Sequence, residues 1–217
     1  MLLDVEDLYK KEDISYPIST VFSLSPDNMA LQEIRSQKDI ELLSKFYDKF
    51  KPLNLDWLDF RRELDMTNDK ELFHEKYEKG MSKLYEGKMI WQYNSLFSEA
   101  KYFLKMNEVE EKLKSKEIYR MCQDIDKTKE AIIKLTQTNV LDKFVTYDKD
   151  YFRIGFRDIA SNTNERTLVF SLFTKNTFIG NTINISKPKK YSLINNQIIT
   201  QEKSLEITLF SLAIFNS

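Results

Sequence analysis

The chain has 217 residues, with 33 basic and 34 acidic side chains and a formal net charge of −1. Apolar residues make up 41% and aromatic residues 13%, enough for a packed core, which excludes a disordered chain. A single cysteine, Cys122, excludes an internal disulfide and a multi-cysteine zinc site, and a single histidine, His74, leaves only carboxylates for a metal.

The opening run, Met1 to Asp7, has neither the basic nor the apolar region of a signal peptide. Apolar runs are only a few residues long, short of the ~20 that a membrane helix needs. A cytoplasmic protein without a membrane partner is therefore expected. The stretch from Pro17 to Pro26 reads as irregular, with Val21, Phe22 and Leu24 as strand or packing residues. Ser36 is positioned as an N-cap with Asp39 three residues on. Ile40, Leu43, Phe46 or Tyr47, and Phe50 then follow at helical spacing up to Pro52. Residues 53–80 read as turn-rich helix (Leu55, Trp57, Leu58, Phe60, Leu64, Leu72, Phe73), broken near Thr67-Asn68-Asp69.

A long charged helix is expected from about Leu96 to Leu135, with Glu108–Lys112 and Glu110–Lys114 at the supportive i,i+4 spacing. Its polarity suggests a spacer or arm rather than a core element. After Val145 the composition changes. Tyr151 to Ile159 alternates as a strand, with Phe152, Ile154 and Phe156 on one face and Arg153 and Arg157 on the other. Thr167 to Phe173 reads as a second strand and Tyr191 to Thr200 as a third. Leu205 to Phe215 reads as an apolar helix. Residues 151–217 carry eight basic and four acidic side chains, so the β-rich end is the basic part. The fold class expected is α+β: a mostly helical region over 1–147, then a small β-rich basic region over 148–217 that closes on an apolar helix.

The four glycines, Gly80, Gly87, Gly155 and Gly180, never fall at the spacing of a phosphate-cradling or dinucleotide loop. The four prolines are never adjacent, so the Asn-Pro-Pro-aromatic loop of DNA amino-methyltransferases is missing. Glu86-Gly87-Lys88, with Asp69 as a partner carboxylate, fits the Glu-x-Lys of metal-dependent nucleases. A glycine-containing turn with an ion pair accounts for it as well. His74 has no nucleophile or orienting acid at recognisable spacing and reads as a solvated or capping residue. Cys122 reads as a small core residue. Arg153 and Arg157, four strand residues or roughly 13 Å apart, suit a basic strand on a nucleic-acid backbone; the plain alternative is a solvent-exposed strand face. Lys187, Lys189 and Lys190 around Pro188 read as a solvated basic loop.

Two stretches carry a resemblance. Leu84-Tyr85-Glu86-Gly87-Lys88-Met89-Ile90 resembles a segment of the type IIG restriction–modification enzymes, which fuse a nuclease, an N6-adenine DNA methyltransferase and a target recognition domain. Phe156-Arg157-Asp158-Ile159-Ala160, followed by Thr163-Asn164-Glu165-Arg166-Thr167-Leu168, resembles the motif that opens that family's recognition region. Phe22 to Pro26, Arg61 to Thr67 and Leu212 to Ser217 add weaker similarity in the same order. Where the family continues with His-Gln-Phe-Asp-His, this chain has Trp91-Gln92-Tyr93-Asn94-Ser95, without either histidine.

The resemblance implies a partial chain: a connector behind the methyltransferase core over 1–147 and the start of a recognition domain over 148–217. It implies double-stranded DNA as partner, together with the methyltransferase and nuclease part of the same system. S-adenosylmethionine and magnesium are the full enzyme's cofactors, and none is expected in this chain, nor any catalytic residue. Arg153, Arg157 and Arg166 are expected to contact phosphates, with Lys88 a further DNA-binding residue and Asn164 ordering the turn. The alternative is that Arg157, Asp158, Asn164 and Glu165 hold that turn by bonding internally. A helical protein-interaction module, or the remnant of a split restriction gene, are the rival functions.

Overall fold

The computed structural model describes residues 14–26, 28–32, 34, 36–50, 58–161 and 164–217. Expectations that concern Met1 to Asp7, Pro52, Leu55, Trp57 and Thr163 fall outside the described residues. The chain divides into two compact units, 1–55 and 56–217.

In the first unit, α1 (Ile18–Leu24) replaces the expected irregular stretch. Pro17 stands just before it at φ −60°, a position that needs no backbone donor, and Val21 and Leu24 are buried. α2 (Gln37–Lys49) begins where the sequence indicates, with the Ser36 hydroxyl accepting from the Asp39 N–H at 3.2 Å. Of its apolar stripe Ile40 is buried, whereas Phe46 and Phe50 are exposed.

The second unit mixes helices and sheets throughout, as the α+β class requires. The region before residue 148 is less helical than expected: it contributes β1 (Phe60–Arg61), β2 (Ser82–Tyr85) and β3 (Phe103–Leu104). The long charged stretch becomes α3 (Met106–Ile125) and α4 (Lys129–Thr136), parted where Asp126 turns left-handed at φ 55° and Thr128 caps α4 through the Ala131 N–H. The strands that follow are β4 (Arg153–Arg157), β5 (Phe170–Phe173), β6 (Phe178–Ile179), β7 (Ile183–Ser186), β8 (Lys189–Ile194) and β9 (Gln197–Glu202). α5 (Leu205–Phe215) closes the chain.

Strands from either side of residue 148 pair with one another. One sheet has the order β1-β7-β4-β5 and another the order β3-β2-β6, with β2 parallel to β6. The boundary read from composition at 147/148 therefore falls inside one folded unit. The expected third strand is a hairpin, β8–β9, turned by Asn195 and Asn196 at φ 50° and 60°, as a two-residue hairpin loop demands. In β4 the neighbouring strand approaches so closely that a Cβ on Gly155 would stand 2.9 Å from Ile185 Cδ1.

Helix α3 is a core element rather than an arm. Val109 and Leu113 join Leu64, Leu84, Leu104 and Phe178 in one apolar cluster, and Met121 packs with Ile132, Leu141 and Tyr191 in another. The expected i,i+4 pairs give way to tertiary ones. Lys112 pairs with Asp69 and Glu71 and Lys149 reaches Glu110, while Lys114 pairs within the helix with Glu111, three residues before it.

Between these clusters lies a buried charge network. Arg61 grips Asp148 through Nε at 2.8 Å and through Nη2. Lys189 donates to Glu117 at 2.6 Å and stands 3.2 Å from Asp148. Arg120 pairs with Glu117 and lies 3.4 Å from Asp148. Arg153 donates to Glu63 at 3.0 Å and to the Thr177 carbonyl at 2.6 Å, while Glu63 accepts from the Ile179 N–H at 2.9 Å. Burial opposes the charge on Asp148, but Arg61, Lys189 and Arg120 outweigh it and hold the carboxyl well below the usual carboxylate range.

Removing one partner of such a network strands the others, so Asp148→Asn is expected to cost about 3–5 kcal/mol of stability at neutral pH. A depressed folded pKa gives stability that is present above the unfolded value of about 3.9 and lost as pH falls through the folded value. Wild type should therefore lose stability in acid more steeply than the variant, by up to one proton's worth of slope. Urea unfolding across the acid range measures both effects.

Candidate functional site

The two sequence stretches that stand out in the chain meet in space. β2 runs into a 3-10 turn, Gly87–Met89, and β4 ends at Arg157. The parallel pairing of β2 with β6 brings the β6–β7 turn between them. The result is a cleft of about 600 Å³ lined by Arg62, Glu86, Gly87, Lys88, Arg157, Asp158, Ile159, Ser161, Asn164, Asn181 and Thr182.

Short backbone contacts close its floor. The Gly87 N–H donates to Thr182 Oγ1 at 2.9 Å, and a Cβ at Gly87 would stand 3.0 Å from the Thr182 carbonyl oxygen, so a larger residue would push these turns apart. The Asp158 N–H donates to the Thr182 carbonyl at 3.0 Å. The Asp158 carboxylate accepts from Arg62 at 2.9 Å and from Asn184 at 2.6 Å.

Arg157 acts as a clamp. Its Nε donates to the Ile90 carbonyl at 3.1 Å, Nη2 donates to the same oxygen, and the guanidinium stands 5.1 Å from the centre of the Trp91 ring. Burial lowers its pKa from the ordinary arginine value. Trp91 is held in turn by a two-way backbone bridge with Asn94 and by stacking on Phe97 at 5.6 Å.

The residues picked from sequence separate into three groups. Lys88, Arg157 and Asn164 line the cleft. Arg153 does not: it is fully buried and paired with Glu63. The expected basic face of β4 is absent because its first three residues, Arg153 to Gly155, are all buried, so both strand faces are covered there. Arg166 is exposed on the surface and donates to the carbonyls of Asn216 and Ser217 at 3.2 and 2.9 Å. Asn216 itself pairs with both backbone groups of Phe170. Among the described residues the turn network of Arg157, Asp158, Asn164 and Glu165 takes another form. Arg157 and Asp158 do bond internally, but to Ile90, Arg62 and Asn184, and the Asn164 N–H donates to Ser161 O at 3.1 Å.

Glu86 and Lys88 form an ion pair at 3.1 Å. Asp69 is not among the cleft residues; it accepts from the Asp65 N–H and lies 3.5 Å from Lys112. His74 exchanges backbone bonds with Phe103 and stands 4.0 Å from Glu108, and burial pushes the Cys122 thiol up. Lys189 belongs to the buried network rather than to a solvated loop.

Arg62, Asn181 and Thr182 join the site through the fold. Arg62 lies in a stretch of weak family similarity, but nothing in sequence links 181–182 to 86–87, since only the β2–β6 pairing joins them. The cleft thus offers three cations, two of them exposed and ion-paired, beside two carboxylates and several amide and hydroxyl groups. That chemistry suits binding of a polar, anionic surface. Comparison with models of known protein families finds no match, and a search among curated proteins finds no relative.

If Arg157 is a clamp, removing it costs stability. Arg157→Ala is expected to lower the melting temperature by several degrees through the loss of two hydrogen bonds and the stacking on Trp91. Arg157→Lys, which lacks the planar fork, should recover only part of it. Differential scanning calorimetry measures both.

Proposed function

We propose that this chain is a piece of a type IIG restriction–modification enzyme that grips double-stranded DNA and contributes to target recognition, without catalytic residues of its own. One observation carries the reading. The two stretches that resemble that family lie about 70 residues apart in sequence, yet they line one cleft; Arg157 on Ile90 locks them directly, and Gly87 and Asp158 both bond to Thr182 between them.

In this reading phosphate contact falls to the exposed Lys88 and Arg62, whose ion pairs with Glu86 and Asp158 are exchanged for DNA. Pairs at such exposed positions contribute about 0–1 kcal/mol, so the exchange costs little. Arg157 is a positioning residue, and Trp91, standing where the family has its first histidine, is its platform. S-adenosylmethionine and magnesium would be held by other parts of the system, and the setting would be cytoplasmic. Among the described residues no helix is long and apolar enough to cross a membrane.

The rival reading, a protein-interaction module, is favoured by α5, whose Leu205, Ile207, Leu209, Phe210 and Ile214 are exposed. The partner in that case is the methyltransferase part of the same system.

The test is a salt titration of binding to a short duplex. Lys88→Ala is expected to weaken binding and to lower the salt slope by about one, with an unchanged melting temperature. No measurable binding by the wild type at low salt, with capture of the methyltransferase part intact, would favour the rival reading.

A further inference from the structure

A second cationic surface adjoins the cleft. Two connected depressions, of about 290 and 230 Å³, lie between β1, the second half of α3 and the β8–β9 hairpin. They share Asp59, Gln123, Asp124 and Lys187, and Arg62 lines both the first of them and the cleft. We propose that this groove binds the phosphodiester backbone of nucleic acid, continuing the path of the cleft through Arg62. The proposal rests on the reading that the chain grips double-stranded DNA.

The charge balance carries it. Lys116, Lys187, Lys190 and Lys203 line the groove against two carboxylates, Asp59 and Asp124. Asp124 is already engaged, by Lys187 at 2.5 Å and by the Tyr191 N–H at 2.9 Å. The carboxylates behind the groove, Glu117 and Asp148, are taken up by Arg61, Arg120 and Lys189. Lys190 is exposed, and neither it nor Lys203 makes an ion pair among the described residues. Lys116 donates to the carbonyls of Arg62 and Glu63 at 3.2 and 2.7 Å, which leaves one of its three donors.

These lysines are also crowded. Burial, with Arg120 beside it, lowers the pKa of Lys116, and burial lowers that of Lys203, where Lys187 and Arg61 oppose the relief from Asp59. An arriving anion relieves both. The geometry selects a backbone rather than a small anion, since the lysines are spread along two depressions and do not converge on one point. Lys190 lies at the start of a strand and Lys203 just after its partner strand, where the Lys203 N–H donates to Pro188 O.

The experiment is fluorescence anisotropy of a short duplex over a range of potassium chloride, with wild type, Lys190→Ala/Lys203→Ala and Lys88→Ala. Each lost phosphate contact lowers the slope of log affinity against log salt by about one. The double variant is expected to lower it by about two with an unchanged melting temperature, and Lys190→Arg/Lys203→Arg to keep it. A double variant with the wild-type slope, beside a Lys88→Ala variant that lowers it, overturns the groove and leaves the DNA-gripping cleft standing. The opposite pattern supports the groove and removes the cleft from the path. A wild type that does not bind duplex DNA at low salt overturns both.

Discussion

The buried charge network is the constraint on which the second unit depends. Three carboxylates (Glu63, Glu117 and Asp148) and the cations that meet them come from β1 and the residue pair after it, α3, a 3-10 turn, β4 and β8. Taking such charges from water costs several kcal/mol per ion, recovered only when geometry satisfies each of them at once. That requirement acts on relative placement. A helix free to rotate or a strand free to slip would leave a carboxylate facing a cation too far away, so the network ties α3 to the hairpin and to β1 and β4 of the sheet in a single arrangement. Apolar clusters on either side supply area, but greasy contacts tolerate small shifts that this network does not.

The network also determines what reaches the surface. Along β1 and its continuation, Arg61 and Glu63 turn inward to Asp148 and Arg153, and Arg62 between them turns outward. The two-residue period of extended chain makes this one decision rather than three. Arg62 consequently stands where the cleft and the lysine-lined groove meet. The cations that face solvent on this side are those the interior has not consumed, which is why neighbouring basic residues such as Lys189 and Lys190 have opposite fates: one is buried on Glu117, the other exposed.

A similar division runs through the cleft. Arg157 and Lys88 both belong to it, yet Arg157 is occupied by the Ile90 carbonyl and the Trp91 ring, and Lys88 is held only by an exposed pair with Glu86. The first kind of cation sets the shape of the site, and the second is available to a ligand.

The sequence by itself determined the α+β class, the Ser36 cap, the strand around Arg153 to Arg157 and the C-terminal helix. Each follows from local signals: a capping hydroxyl, alternation, or a stretch dense in apolar residues. It also pointed to Lys88, Arg157 and Asn164. Only the tertiary structure decided which charges are interior. Polarity made α3 read as an arm and Arg153 as a phosphate contact, because a one-dimensional pattern counts a charged residue as exposed. A partner ninety positions away, such as Glu63 for Arg153, reverses that. The strands 60–61, 103–104 and 178–179 were invisible for a related reason: two residues are too few to show a period, and they are strands because of what lies beside them. The cleft itself depends on one such pairing, β2 with β6. Its residue types could be read along the chain, but their meeting could not.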